Sequence, residues 1–203
     1  MGPDQITAYA KGRTVMAYFF DQHVARPIVM RFPQWLHPNH FSIIRAAFVV
    51  PVIYWRDKPL IAVTALILSS VFDLFDGPLA RLRKQVSQNG ATLDATADKI
   101  FILGVLFFAC GDRVALNIRI AVAAIDILLT LMRPLKRWLS VTTNSNAWGA
   151  LKTWAQSFAL AFVLTGNPFL ETVAPYVFYT AIGFACLSLI GHLQDLQRND
   201  ITP

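Results

Sequence analysis

The chain has 203 residues, of which 55% are hydrophobic and 15% charged, and its net charge is +6. Soluble domains carry about 45–50% apolar and about 25% charged residues, so this composition excludes an ordinary water-soluble enzyme. Surplus Lys and Arg in so apolar a chain report membrane orientation rather than a nucleic-acid partner.

Residues 1–37 lack the uninterrupted apolar core of a signal peptide. In this stretch Val15, Phe19, Phe20, Val24, Ile28 and Val29 alternate with Lys11, Arg13, Asp21, Arg26 and Arg31. That pattern predicts an N-terminal amphipathic helix lying along the membrane interface. Apolar runs then recur at Phe41–Trp55, Leu60–Leu82, Ala91–Cys110, Ala115–Met132, Ala147–Leu164 and Val173–Leu193. Each approaches the roughly 20 residues that a helix needs to cross a hydrocarbon core. They are too long and too uniformly apolar for barrel strands. The expected fold is all-α: an integral membrane bundle of six transmembrane helices, forming one domain over residues 38–203 after the juxtamembrane segment 1–37. Arg56 to Pro59 and Thr142–Asn146 read as turns between spans, and short connections favour antiparallel neighbours. Arg81, Arg83, Lys84, Arg133, Lys136, Arg137 and Arg198 fall on the same side as the basic N-terminal residues. The positive-inside rule therefore places both termini in the cytoplasm. Cys110 and Cys186 lie in apolar runs and read as small buried hydrophobes rather than a disulfide or metal pair.

The chemistry concentrates between the second and third runs. Asp73 and Asp76 are three residues apart, and Asp94 and Asp98 four apart, so each pair lines one face of a helix. An ionised Asp at the centre of a membrane helix costs about 2.5–3.5 kcal/mol on insertion scales, and four together need compensating cations. Arg81 and Lys99 are candidate counter-charges. An all-carboxylate cluster also suits Mg²⁺ or Mn²⁺, hard ions that prefer oxygen, whereas a zinc site would bring His or Cys. Two such ions would clamp a diphosphate. Taken alone, the aspartates equally suit buried ion pairs or the ion path of a transporter, and Gly77 and Gly90 suit helix packing.

The whole segment reads D-x2-D-G-x2-A-R-x8-G-x3-D-x3-D, from Asp73 to Asp98. This resembles the signature of CDP-alcohol phosphatidyltransferases at all eight specified positions. A chance match at any one start is on the order of 10⁻¹⁰ at ordinary residue frequencies. The resemblance implies that Asp73, Asp76 and Asp94 ligate divalent ions, with Asp98 completing the site as the general base. It also implies that Gly77, Ala80 and Arg81 hold the CDP moiety. Upstream, Pro38-Asn39-His40-Phe41-Ser42-Ile43-Ile44-Arg45 is similar to the P-N-x-x-[TS]-x-x-R of the family, which adds Asn39 to the CDP-lipid site. Asn39 and Ser42 also suit helix capping. Arg45, inside an apolar run, needs a partner that the acidic cluster can supply.

The implied reaction is attack by an alcohol on the lipid-side phosphorus of CDP-diacylglycerol, with CMP leaving. None of the eight specified positions is Ser, Cys or His, which favours direct displacement over a covalent intermediate. For the acceptor, Gly149-Ala150-Leu151-Lys152-Thr153-Trp154-Ala155-Gln156 is similar to the G-K-x-K-T-x-x-Q of phosphatidylglycerophosphate synthases. Asp126 and Arg133 keep the seven-residue separation of their fourth-span acidic and basic residues. Arg133, Lys152 and Asp126 therefore form the expected acceptor site, and the small phosphorylated alcohol is glycerol 3-phosphate. Two positions depart from the pattern: Ala150 stands for the first Lys, and Ile125 for an Arg. Inositol phosphate, inositol, serine or an amino alcohol are the alternative acceptors, and an ion-coupled membrane transporter is the alternative of another class. The resemblance further implies a homodimer.

Overall fold

The structure, a computed structural model, describes residues 20–33, 36–83, 85, 87–138 and 147–199. The described residues are helical, without strands. A π-helical turn, Phe20–Ala25, leads into α1 (Arg26–Val29). There follow α2 (Pro38–Ala47), α3 (Val49–Tyr54), α4 (Pro59–Leu82) and α5 (Gln88–Gly104), the last continued by a π-helical turn, Val105–Ala109. The chain closes with α6 (Leu116–Trp138), α7 (Ala147–Leu164) and α8 (Pro168–Asn199).

Proline and capping chemistry set most of these limits. Pro38, Pro59 and Pro168 each open a helix, where their missing N–H is no loss. The first expected span, Phe41–Trp55, is divided at Phe48, because Pro51 has no N–H to donate to the Ala47 carbonyl. At the other end of the chain, α7 stops at Gly166, whose φ of 64° is left-handed. Asn167 then caps α8, its Oδ1 accepting from the backbone N–H of Phe169 at 3.0 Å and of Leu170 at 3.4 Å.

Among the described residues each apolar run is largely helical, the first of them in two pieces, α2 and α3. Two of them, Pro59–Leu82 and Pro168–Gln194, are long and apolar enough to cross a membrane by length and composition. Large hydrophobic side chains point outward along both, among them Ile67, Leu68 and Val71 on α4 and Tyr176, Leu187 and Ile190 on α8. Helix ends outrun apolar ends: α6 continues to Trp138 and α8 to Asn199, through polar residues that a helix carries readily into water. Of the expected amphipathic segment, residues 1–19 lie outside the described residues, as does the Thr142–Asn146 turn. In the described part, Ala25 and Val29 are buried while Val24 and Ile28 are exposed. Cys110 is buried as expected, but Cys186 is exposed, because it sits on an outward face of α8.

The chain divides into two compact units. The first comprises residues up to Ala47 and Leu68–Asp98. Its core joins Ala25, Val29, Phe41 and Leu79, with Phe32, Leu36, Phe72, Phe75 and Leu82 packed around them. Phe41 meets both Phe32 and Phe72 with ring centroids 5.5 Å apart, a spacing at which tilted aromatic pairs attract. The second unit comprises Phe48–Ile67 and the residues from Lys99 onward. Phe101, Ile102, Val105, Leu106, Leu160 and Phe178 are among its buried core. At one set of turns in this unit, Arg113 donates to the Val163 carbonyl at 3.0 Å and pairs with Glu171 at 3.6 Å, while Arg56 pairs with Asp112 at 3.1 Å.

Candidate active site

The site in the first unit grows out of three helical segments. The last turns of α4 present Asp73, Asp76, Gly77, Ala80 and Arg81; the first turns of α5 present Gly90, Asp94 and Asp98; α2 presents Asn39, Ser42 and Arg45. One carboxylate oxygen from each of Asp73, Asp76 and Asp94 lies within 4.8 Å of the other two. Three hard oxygen donors at that separation fit a divalent cation of the magnesium type. Asp94 Oδ1 is a buried oxygen that accepts no hydrogen bond within the protein, and the Arg45 guanidinium stands 3.2 Å from it. Asp98 lies outside this triad and joins the cluster through Arg45, 3.9 Å away.

Arg45 is the counter-charge. It is 3% exposed, forms an ion pair with Asp73, and approaches Asp94 Oδ1 at 3.2 Å while donating to the Asp94 backbone carbonyl at 2.9 Å. The cation assigned to the apolar run therefore does find the acidic cluster. Lys99, expected to share that work, has its ammonium 3.7 Å from Asp126 in the second unit. Ser42 is not spent on capping either, for its hydroxyl donates to Asp76 Oδ2 at 3.4 Å from inside α2. Asn39 is likewise within α2, with its Oδ1 against Gly90.

A cavity of about 340 Å³ opens beside the triad, with Asp76 and Asp94 in its wall. Asn39, Gly77, Ala80, Arg81 and Gly90 also line it, so every residue that the sequence assigned to the CDP moiety borders one space. The two glycines keep that space open in different ways. Ser87 caps α5 by accepting the Gly90 N–H at 3.0 Å, and a methyl on Gly90 would come within 3.2 Å of Asn39 Oδ1. A methyl on Gly77 would come within 2.9 Å of the Arg81 guanidinium, which folds back over it. That neighbour is the tip of a flexible side chain, so Gly77→Ala should fold normally and displace the guanidinium. Expected is an unchanged unfolding temperature with the KM for a CDP-lipid raised about tenfold, the worth of one charged hydrogen bond. An unchanged KM would remove Gly77 and Arg81 from the substrate wall.

The second unit holds the residues expected to meet the acceptor. Asp126 is fully buried on α6, with Lys152 Nζ donating to its Oδ1 at 2.7 Å and Gln156 Nε2 at 3.2 Å; Lys99 Nζ stands 3.7 Å from the other oxygen. Lys152 and Gln156 share one face of α7, being four residues apart, and both are buried. The Arg133 side chain lies outside the described residues. Gln156 and Lys99 were not among the assigned residues, although Gln156 belongs to the quoted motif and Lys99 directly follows Asp98.

A carboxylate triad that fits a divalent ion, beside a cavity lined by small residues and Arg81, suits the binding of a phosphorylated ligand. The family model for CDP-alcohol phosphatidyltransferase matches residues 35–187, and the chain belongs to that family. It is therefore a transferase of phospholipid biosynthesis and a membrane protein, and membership decides against the transporter reading. Among curated proteins it is similar to the CDP-diacylglycerol–glycerol-3-phosphate 3-phosphatidyltransferase of Haemophilus influenzae, 29% identical over 154 residues, covering 73% of this chain and 82% of that protein. It is 30% identical to the Sodalis glossinidius protein of the same name over 142 residues, 66% of this chain and 77% of the relative. The Blochmanniella floridana protein of that name is 30% identical over 143 residues, 67% and 74% of the two chains.

Proposed function

We propose that the chain transfers the phosphatidyl group of CDP-diacylglycerol to glycerol 3-phosphate and releases CMP. The observation that carries this reading is the convergence of the Asp73, Asp76 and Asp94 carboxylates within 4.8 Å beside the cavity lined by Gly77 and Arg81. The shared name of the relatives supports the acceptor.

In this reading Asp73, Asp76, Asp94 and Asp98 hold two Mg²⁺ or Mn²⁺ ions, which supply Lewis-acid neutralisation of the diphosphate when bound. Asn39, Gly77, Ala80 and Arg81 seat the CDP moiety, small residues leaving room for the base and Arg81 offering donors to phosphate oxygens. The acceptor hydroxyl oxygen forms a bond to the lipid-side phosphorus as the bond from that phosphorus to the CMP oxygen breaks. Asp98 takes the hydroxyl proton, a role its orientation can support despite its being a weak base in water. Lys152 and Arg133 bind the acceptor phosphate. Asp126, buried and bonded to Lys152, contributes by aiming that ammonium.

The membrane setting belongs to the same proposal. Residues 38–203 form one catalytic domain of six spans with both termini and the site on the cytoplasmic side, preceded by an interfacial helix within residues 1–37. The outward Val24 and Ile28 support the interfacial helix, the basic residues Arg81, Arg83, Lys84, Arg133, Lys136 and Arg137 support the orientation, and the assembly is a homodimer among membrane lipids. Inositol phosphate, inositol, serine and amino alcohols remain the alternative acceptors, because Ala150 and Ile125 supply no cation. CMP release should be measured with purified protein, CDP-diacylglycerol and Mn²⁺ or Mg²⁺ across these acceptors. Release with glycerol 3-phosphate is expected; release with only another alcohol overturns the acceptor and keeps the chemistry.

A further inference from the structure

We propose that Arg83, at an unspecified position of the family signature, is a positioning residue whose guanidinium fork holds Phe32 and Leu36 at the approach to α2, the helix whose Pro38, Asn39 and Ser42 line the CDP-lipid cavity. Arg83 is the first residue beyond α4. Its Nη1 donates to the Leu36 carbonyl and its Nη2 to the Phe32 carbonyl, each at 2.6 Å. The two bonds tie the exit of α4 to chain that precedes it by 47 and 51 residues. Leu36 stands two residues before Pro38, where α2 begins, so this fork fixes how the chain enters the helix that presents Asn39 and Ser42.

The geometry divides the labour along α2. Ser42 and Arg45 attach the inner part of the helix to Asp76, Asp73 and Asp94. At the entry, Phe32 and Leu36 pack against Phe41 and Leu79, contacts that hold the segment down without fixing its register. Arg83 supplies the direction, since a planar fork satisfies two carbonyls at once where an ammonium satisfies them only as a point charge. Asn39 sits one residue into α2, with Oδ1 packed on Gly90 across the cavity. Releasing the fork frees the entry to swing and moves Asn39 off that wall, with the acidic triad left in place.

This inference rests on the cavity being the CDP-lipid site, and wild-type CMP release tests that reading separately. Arg83→Ala and Arg83→Lys should be assayed in detergent micelles with CDP-diacylglycerol varied at saturating acceptor, and the reverse, alongside thermal unfolding. Both variants are expected to raise the KM for CDP-diacylglycerol about tenfold or more, for the loss of at least one charged hydrogen bond. The kcat and the acceptor KM should stay within about twofold, because a positioning change acts as lost ground-state binding. Full recovery in Arg83→Lys would make the residue a mere positive charge at the membrane surface and overturn the proposal. So would a uniform loss of kcat for both substrates, or failure of both variants to fold, either of which marks a purely structural role. If wild type turns over no CDP-lipid at all, the functional reading itself falls.

Discussion

Asp94→Asn is expected to abolish CMP release, by at least about a thousandfold, while leaving the protein folded. The change removes one of the three clustered carboxylates and keeps the side chain's shape and its Oδ1, which faces Arg45 at 3.2 Å. A bound divalent ion supplies several kcal/mol of charge stabilisation, and each 1.36 kcal/mol is tenfold in rate, so a thousandfold corresponds to about 4 kcal/mol. The matched measurement is Mn²⁺ affinity, followed by electron paramagnetic resonance on the detergent-solubilised protein. Weakened Mn²⁺ binding together with the lost turnover supports the ligand assignment. Turnover within about tenfold of wild type would remove Asp94 from the ion site, since a lost ligand costs more than that.

The second large effect concerns stability. Asp126→Ala removes the buried carboxylate that Lys152 Nζ meets at 2.7 Å, and Lys152 is itself 3% exposed. Breaking a buried pair by deleting one partner typically costs about 3–5 kcal/mol, because the other charge stays desolvated. Replacing both partners with apolar residues of similar size avoids that cost, so Asp126→Leu combined with Lys152→Met should recover most of the loss. Denaturant or thermal unfolding in detergent reads the cycle. Equal destabilisation in single and double variants would show that the pair contributes no mutual stabilisation, leaving Gln156 and Lys99 as the partners that matter to Asp126.

Much of this was legible in the sequence because its signals were local. Asp73 with Asp76, and Asp94 with Asp98, fall at helical spacing, and Gly77, Ala80 and Arg81 occupy fixed offsets from them, so the sequence already places Asp76, Gly77, Ala80 and Arg81, which line the cavity, at one end of α4. Helix existence was equally readable, since apolar runs of about span length leave the backbone few other forms. Helix ends were not. Hydropathy marks where apolar residues stop, whereas α6 and α8 stop only where hydrogen bonding does. The break at Phe48 had a sequence cause in Pro51, four residues after Ala47, hidden inside a run that otherwise reads as continuous.

Contacts that cross between segments were the least readable. The ion pair of Lys99 with Asp126 at 3.7 Å joins residues far apart in the sequence, which spacing along one helix does not show. Arg83 left no trace at all, because its partners are main-chain carbonyls and any residue type supplies those.

The position of Arg45 has a consequence for how the chain is made. Synthesis runs from the N-terminus, so this arginine is made before Asp73, Asp94 and Asp98, which it later faces. An ionised Asp at a bilayer centre costs about 2.5–3.5 kcal/mol, and each acidic segment of this site is made after the cation that pairs with it. Arg45→Met should accordingly lower the yield of fully inserted protein in a translation-coupled insertion assay, and equal insertion would show that the aspartates enter unaided. A carboxylate site assembled around its own arginine carries part of its counter-charge from birth, before any ion is supplied by the cell.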